Sequence, residues 1–250
     1  MTVAEWFLLF AAGIGGGLAG SIAGLASVST YPALLLIGLP PVTANVTNTV
    51  ALVFNGVGSV SGSLPELRDQ RDLLRRFVPI GVAGGAAGAA LLLTIPAEGF
   101  ENAVPILLAS SALVIALPHR KDAEPAPPTT ARTVLIGAAL FGICVYGGFF
   151  GAAAGVLMLA LFLRVGARTL ADANATKNVV LGVANLVAAV IFIVLSPVAW
   201  TAVVPMALGC LLGARLGPVV VRRAPAGPMR LVIAAAALAL AIKLGFDTYR

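Results

Sequence analysis

The sequence predicts an all-α, polytopic membrane protein: about eight transmembrane helices in two related four-helix halves, with some of the helices broken. Three observations predict it. Sixty per cent of the 250 residues are hydrophobic and only ten per cent are charged, against roughly 25% charged in a soluble domain. Several apolar runs exceed the roughly 18 residues that mark a membrane-span candidate, and they lack the short alternating segments of a transmembrane β-barrel. Finally, a polar stretch at the head of one apolar run, Ala44-Asn45-Val46-Thr47-Asn48, returns as Ala173-Asn174-Ala175-Thr176-Lys177-Asn178.

Taken in order, the spans fall at about 4–27, 44–63, 77–95, 102–118, 133–163, 174–195, 199–218 and 228–247. The N-terminus has no basic segment and its apolar run continues to Leu25, so it reads as a first span and not as a cleaved signal. The first span is followed by further apolar sequence from Tyr31-Pro32 to Pro40-Pro41, and the fifth is longer than the roughly 20 residues a crossing needs. Glycine and proline interrupt both, which predicts broken helices. Residues 1–118 form a first membrane repeat, 119–132 a polar, Pro-rich linker, and 133–250 a second repeat. Gly20 to Gly24 matches Gly151 to Gly155, and Pro79, Gly84 and Gly88 match Pro205, Gly209 and Gly213. With eight simple crossings, Arg68, Arg71, Arg75, Arg76, Arg120, Lys121, Arg132, Lys243 and Arg250 share one side. Arg164, Arg168, Arg222, Arg223 and Arg230 fall on the other. The positive-inside rule then favours both termini in the cytoplasm. A broken helix that re-enters instead of crossing would change the parity and invert the repeats.

The net charge of +6 comes mostly from residues at span ends and in loops, as orientation signals do, and no module that would bind nucleic acid is present. Cys144 and Cys210 lie in separate apolar runs and His119 is the only histidine, so neither metal nor cofactor is expected. Gly15-Gly16-Gly17-Leu18-Ala19-Gly20 fits a dinucleotide-binding spacing but follows an apolar span, with no acidic residue between Glu5 and Glu66. An enzyme would need a nucleophile–base pair or a metal set. One loop histidine and no mid-span carboxylate argue against that.

The candidate binding residues cluster at the two matching helix starts. A helix N-terminus carries unpaired N–H groups and about half a positive charge, which suits oxyanions. Asn45 or Asn174 is placed to cap such an end, with Thr47 or Thr176 adding a hydroxyl; ordinary capping where the chain re-enters the membrane is the plainer alternative. Lys177 is the sharpest residue, because a lysine at mid-membrane costs about 2.5–3.5 kcal/mol and marks function by default. Its alternative is snorkelling to the interface. Asn48 is its counterpart in the first half. Asn55 and Asn185, deeper in the same helices, either bridge helices or donate to substrate. Glycines four apart, such as Gly13/Gly17, Gly147/Gly151 and Gly209/Gly213, read first as close helix packing. Gly147, Gly148 and Gly151 are also placed to open the helix and expose peptide N–H groups. Arg215 reads as an interfacial or carbonyl-paired side chain.

At these residues the sequence resembles the sulfite exporter TauE/SafE family of membrane transporters, over about residues 5–247. Gly142-Ile143-Cys144-Val145-Tyr146-Gly147-Gly148-Phe149-Phe150-Gly151, followed by Ala173 to Asn178, looks like that family's signature. The first half matches through Gly20 to Gly24, Pro32-Ala33-Leu34, Gly38-Leu39-Pro40 and Ala44 to Thr47; Leu25-Ala26-Ser27-Val28-Ser29 stands where family members often have a richer glycine run. The resemblance implies a multi-pass inner-membrane permease or exporter for sulfite, organosulfonates or related small anions. It carries substrate contact to Gly147, Gly148, Gly151, Asn174, Thr176, Lys177, Asn45 and Thr47. The expected mechanism is alternating access with a site between the halves. A channel-like anion pore, a carrier of another small organic anion and a non-transporting assembly subunit stay open as alternatives. The expected partners are a small anion and the lipid bilayer, with a homo-oligomer left open.

Overall fold

The computed structural model describes residues 1–96, 98–100, 129–165 and 169–223. Every regular element among them is helical: α1 Val3–Ala23, α2 Ala26–Leu36, α3 Pro41–Gly62, α4 Leu64–Leu67, α5 Arg71–Thr94, α6 Thr130–Phe149, α7 Ala154–Val165, α8 Leu170–Leu195 and α9 Trp200–Arg223. Helices α1, α5, α6, α8 and α9 are long and apolar enough to cross a membrane. Helix α3 has the length, at 22 residues, but is diluted by Asn45, Thr47, Asn48, Thr49 and Asn55. The spans expected at 102–118 and 228–247, and the linker up to residue 128, lie outside the described residues.

The first and fifth expected spans are both broken. Helix α1 ends at Gly24, whose φ of 75° is open to glycine without strain. Its N–H and that of Leu25 turn back to Gly20 O and Ala19 O, and α2 begins two residues later. Helix α6 ends at Phe149, and the chain passes through Gly151 (φ 77°) and Ala153 (φ 63°) before α7. A left-handed alanine is strained, and Ala153 is held there by near-complete burial against Ala23, Leu25, Val28 and Val156. The expected opening at Gly147–Gly148 falls two residues late: α6 stays helical through both.

Glycine contacts fix the direction of each helix. Gly13 and Gly17 lie against Gly209, Cys210 and Ala214, and Gly217 lies against Ser21, so α1 and α9 run in parallel. Gly58 and Gly62 set α3 beside Leu211 to Pro218 in the same sense. Gly81 and Gly85 meet Val180 and Ala184, and Gly84 and Gly88 meet Cys144 and Gly148, so α5, α6 and α8 run together. Close helix packing is therefore what most of these glycines do, and Cys144 and Cys210 are small buried partners in it. Since α1 and α3 run the same way, α2 must bring the chain back between them; Thr30 beside Gly16 and Ala26 beside Gly20 show α2 antiparallel to α1. Helix α7 does the same between α6 and α8. At 11 and 12 residues, α2 and α7 are about 16–18 Å long, roughly half of a 30 Å hydrocarbon core.

This corrects the expected sidedness. Arg222 Nε and Nη2 donate to Glu66 Oε1 and Oε2 at 2.6 and 2.8 Å, and Nη2 also donates to Gly62 O at 2.9 Å. The Arg222 guanidinium holds the Glu66 carboxyl below its ordinary pKa. The α3–α5 connection and the end of α9 thus lie at one end of the bundle, where simple crossings put them on opposite sides. The error came from counting the broken helices as single crossings. Among the described residues, every Arg and Lys except Lys177 and Arg215 lies at or within about two turns of this end: Arg68, Arg71, Arg75, Arg76, Arg132, Arg164, Arg222 and Arg223. The opposite end holds the start of α1 and residues 37–40, 95–96, 98–100 and 196–199, with no basic side chain among the described residues. With an impermeant thiol reagent, one of Asp69→Cys and Pro197→Cys is expected to react in intact cells and the other only in inside-out vesicles. Labelling of both from one face would overturn this topology.

Candidate functional site

The site lies where the two breaks meet. Gly24 and Gly155 touch backbone to backbone, and a methyl on either would collide with the other's Cα. Helices α3 and α8 cross beside them at Gly56 and Gly182. The crossing is close because neither residue has a side chain to separate the backbones.

The two polar helix starts hold the ends of the broken helices. Asn174 Nδ2 donates to Ser21 O at 2.9 Å, Asn178 Nδ2 to the same oxygen at 3.4 Å, and Lys177 Nζ to Gly20 O at 3.0 Å and Ser21 O at 3.3 Å. Lys177 is 1% exposed. Its ammonium sits on the last carbonyls of α1, the negative end of that helix's dipole, which offsets part of its desolvation. Snorkelling is therefore not what Lys177 does. In the other half, Asn45 Nδ2 donates to Phe149 O, the last residue of α6, at 2.8 Å. Asn48, the counterpart of Lys177, donates to Ser27 Oγ at 3.1 Å. Thr47 Oγ1 accepts from Ala199 N at 3.1 Å, tying α3 to the α8–α9 turn. Thr176 Oγ1 is buried with no partner.

The expected capping roles do not hold. Helix α3 starts at Pro41, whose fixed φ suits the first turn. Helix α8 starts after Thr169, which forms a capping box with Asp172: Asp172 N donates to Thr169 Oγ1 and Thr169 N to Asp172 Oδ2, each at 3.1 Å. Asn45 and Asn174 lie a full turn inside, which frees their amides to reach the neighbouring broken helix. The signal for this was Thr169-Leu170-Ala171-Asp172, just ahead of the apolar run.

A cavity of about 20 Å³ lies at the junction, lined among others by Gly24, Ser27, Asn55, Gly147, Gly151 and Asn185. Asn55 comes from α3 and Asn185 from α8, the two crossing helices. Asn55 Oδ1 is buried without a partner among the described residues. Of the expected site residues, Gly147, Gly151 and Asn185 reach this cavity. Gly148 packs on Gly85, and Asn45, Asn174 and Lys177 act one layer behind. Ser27, Thr49 and Gly20 also line it and were not singled out from sequence; Ser27 falls in the stretch that departs from a glycine run. Arg215 is exposed on α9, away from the cavity. Among the described residues no group of three His, Cys, Asp or Glu is placed to hold a metal ion.

Comparison with known proteins places the chain among membrane transporters. The chain is 30% identical over 96% of its length to a probable membrane transporter protein, ORF9, of Sinorhizobium sp., covering 92% of that protein. It is 30% identical to a probable membrane transporter protein of Haemophilus influenzae, over 84% of this chain and 82% of the relative. It is 27% identical to the probable membrane transporter protein YfcA of Escherichia coli K12, over 97% and 90%. No solved structure matches. The model of the family described as sulfite exporter TauE/SafE matches residues 9–244, and the chain, an integral membrane protein by its apolar helices, belongs to that family of membrane transporters.

Proposed function

We propose that this protein carries small sulfur-containing oxyanions, such as sulfite or organosulfonates, across the bacterial inner membrane by alternating access, with the anion held where the two breaks meet. The observation that carries the reading is the pair of breaks, at Gly24 ahead of α2 and at Gly151 ahead of α7, that flank one cavity between α3 and α8. The start of each half-length helix carries partial positive charge, and discontinuous helices aimed at a shared site are how many carriers hold anionic groups. Asn55, Asn185 and Ser27 supply neutral donors inside the cavity. The glycines at 147 and 151 let the anion approach backbone. Lys177 adds a fixed positive charge behind Gly20, and Asn45, Asn174, Thr47, Thr176 and Asn48 hold the broken helices around it.

Helix directions support inverted repeats: α1 and α3 run one way, α6 and α8 the other, and α1 on α9 is matched by α6 on α5. The arginine-bearing end faces the cytoplasm on the positive-inside rule, which puts the start of α1 at the opposite face. A cavity of about 20 Å³ holds one water-sized molecule, so the breaks must part for a sulfonate to enter. That favours a carrier over a standing pore.

The test is flux of sulfite and sulfoacetate into proteoliposomes, against a panel of carboxylates and phosphate. Saturable uptake with counterflow is the expected result. Flux of none of these anions would remove the substrate class, and large unitary currents would replace the carrier with a channel.

A further inference from the structure

The two halves treat their helix ends differently, and the difference carries an inference. At the end of α1 the terminal carbonyls receive a tethered cation, the Lys177 ammonium, together with the Asn174 amide. At the end of α6 the matching asparagine, Asn45, likewise donates to a helix-end carbonyl, Phe149 O, but the residue in Lys177's place is the neutral Asn48. The negative end of the α6 dipole therefore faces no fixed charge from α3.

The side chains there are acceptors in want of a donor. Asn45 is fully buried and Asn48 is 1% exposed, and the Oδ1 of each is without a partner among the described residues. The Nδ2 of each is already committed, to Phe149 O and to Ser27 Oγ, so turning either amide over would break the bond it makes. Standing three residues apart on α3, they share one helix face. Leaving a buried acceptor unsatisfied costs roughly 1–3 kcal/mol, and two side by side at a helix C-terminus are a considerable cost unless a cation answers them.

We propose that the end of α6, with Asn45 Oδ1, Asn48 Oδ1 and Ser27 Oγ, forms a binding site for a monovalent alkali cation, Na+ foremost. The free cation takes in the first half the place that the Lys177 ammonium takes in the second. Neutral amide, hydroxyl and carbonyl oxygens suit an alkali ion, whereas a divalent ion is ordinarily given carboxylates. Carbonyls freed where a helix is broken are a recurring Na+ environment in carriers. Ser27 also lines the anion cavity, so the cation would lie against the anion and offset its charge. The site stands on the geometry at α6; its coupling to anion movement rests on the transport reading above.

The experiment uses the full chain in detergent, with thermal unfolding in NaCl, KCl and choline chloride at equal ionic strength. Na+ at about tenfold above its dissociation constant is expected to raise the wild-type midpoint by about 3–6 °C over choline. Asn48→Ala is expected to lose that rise. Asn48→Lys is expected to be insensitive to Na+ because it carries its own ammonium. Equal midpoints for wild type in Na+ and choline would overturn the proposal, as would an Asn48→Ala protein that keeps the full Na+ response. Should Asn48→Lys fail to fold, Asn48→Ala decides alone. Na+ stabilisation without flux of any tested anion would sink the substrate reading and leave the cation site standing; anion flux without a Na+ response would do the reverse.

Discussion

Lys177→Met is expected to reduce anion flux on the order of tenfold to a hundredfold while leaving the helices assembled. Methionine keeps most of the side-chain volume, so packing changes little. What it removes is the ammonium on Gly20 O and Ser21 O. A hydrogen bond from a charged group is worth about 1.5–3 kcal/mol, which corresponds to roughly that range of rate. Ser21 O keeps the amides of Asn174 and Asn178, and Gly20 O keeps the N–H of Gly24. The end of α1 is therefore loosened, not set free, and the anion loses the nearest fixed positive charge. Tracer flux, with the elution profile in detergent as the control for assembly, checks it. Undiminished flux in a well-assembled Lys177→Met protein would remove Lys177 from the mechanism.

How much of this was legible in the sequence differs residue by residue. The breaks were legible because glycine and proline interrupt apolar runs that are too long for one crossing. Burial of Lys177 was legible because it stands in an apolar run, where a lysine marks a functional candidate by its insertion cost. Its partner was not. Gly20 and Ser21 lie more than 150 residues away, and only the crossing of α8 over α1 joins them. The capping role was misplaced for a local reason. The Ala-Asn-x-Thr stretches are polar, so they resemble helix starts, but the helices already have starts at Pro41 and Thr169. Sidedness failed for a global reason: a half-length helix contributes no crossing, and hydropathy alone does not tell a return from a continuation. Once α2 and α7 are returns, the described arginines that had been divided between two faces, Arg68, Arg71, Arg75, Arg76 and Arg132 against Arg164, Arg222 and Arg223, gather at one.

The cavity pair makes the second large prediction. Asn55 and Asn185 enter the cavity from the two crossing helices, and leucine at each is close in size but gives no hydrogen bond. Leaving a substrate oxygen without its hydrogen bond costs roughly 1–3 kcal/mol. The two positions act on one anion, so their effects are not expected to add independently. Each single variant, Asn55→Leu or Asn185→Leu, is expected to raise the half-saturating anion concentration by about tenfold or more. The double variant is expected to abolish measurable uptake. Asn55 is partly exposed and Asn185 is 7% exposed, so both replacements are tolerable in an apolar surround.

The measurement that bears most directly on the site is sulfite and sulfoacetate uptake by proteoliposomes holding equal amounts of wild type and Asn55→Leu/Asn185→Leu, both shown to elute as assembled protein. Saturable uptake by the wild type, with none by the double variant, is the result expected if the anion passes through the junction of the two breaks. Uptake by the double variant at the wild-type rate and half-saturation would contradict it, and would place the anion's path elsewhere in the bundle.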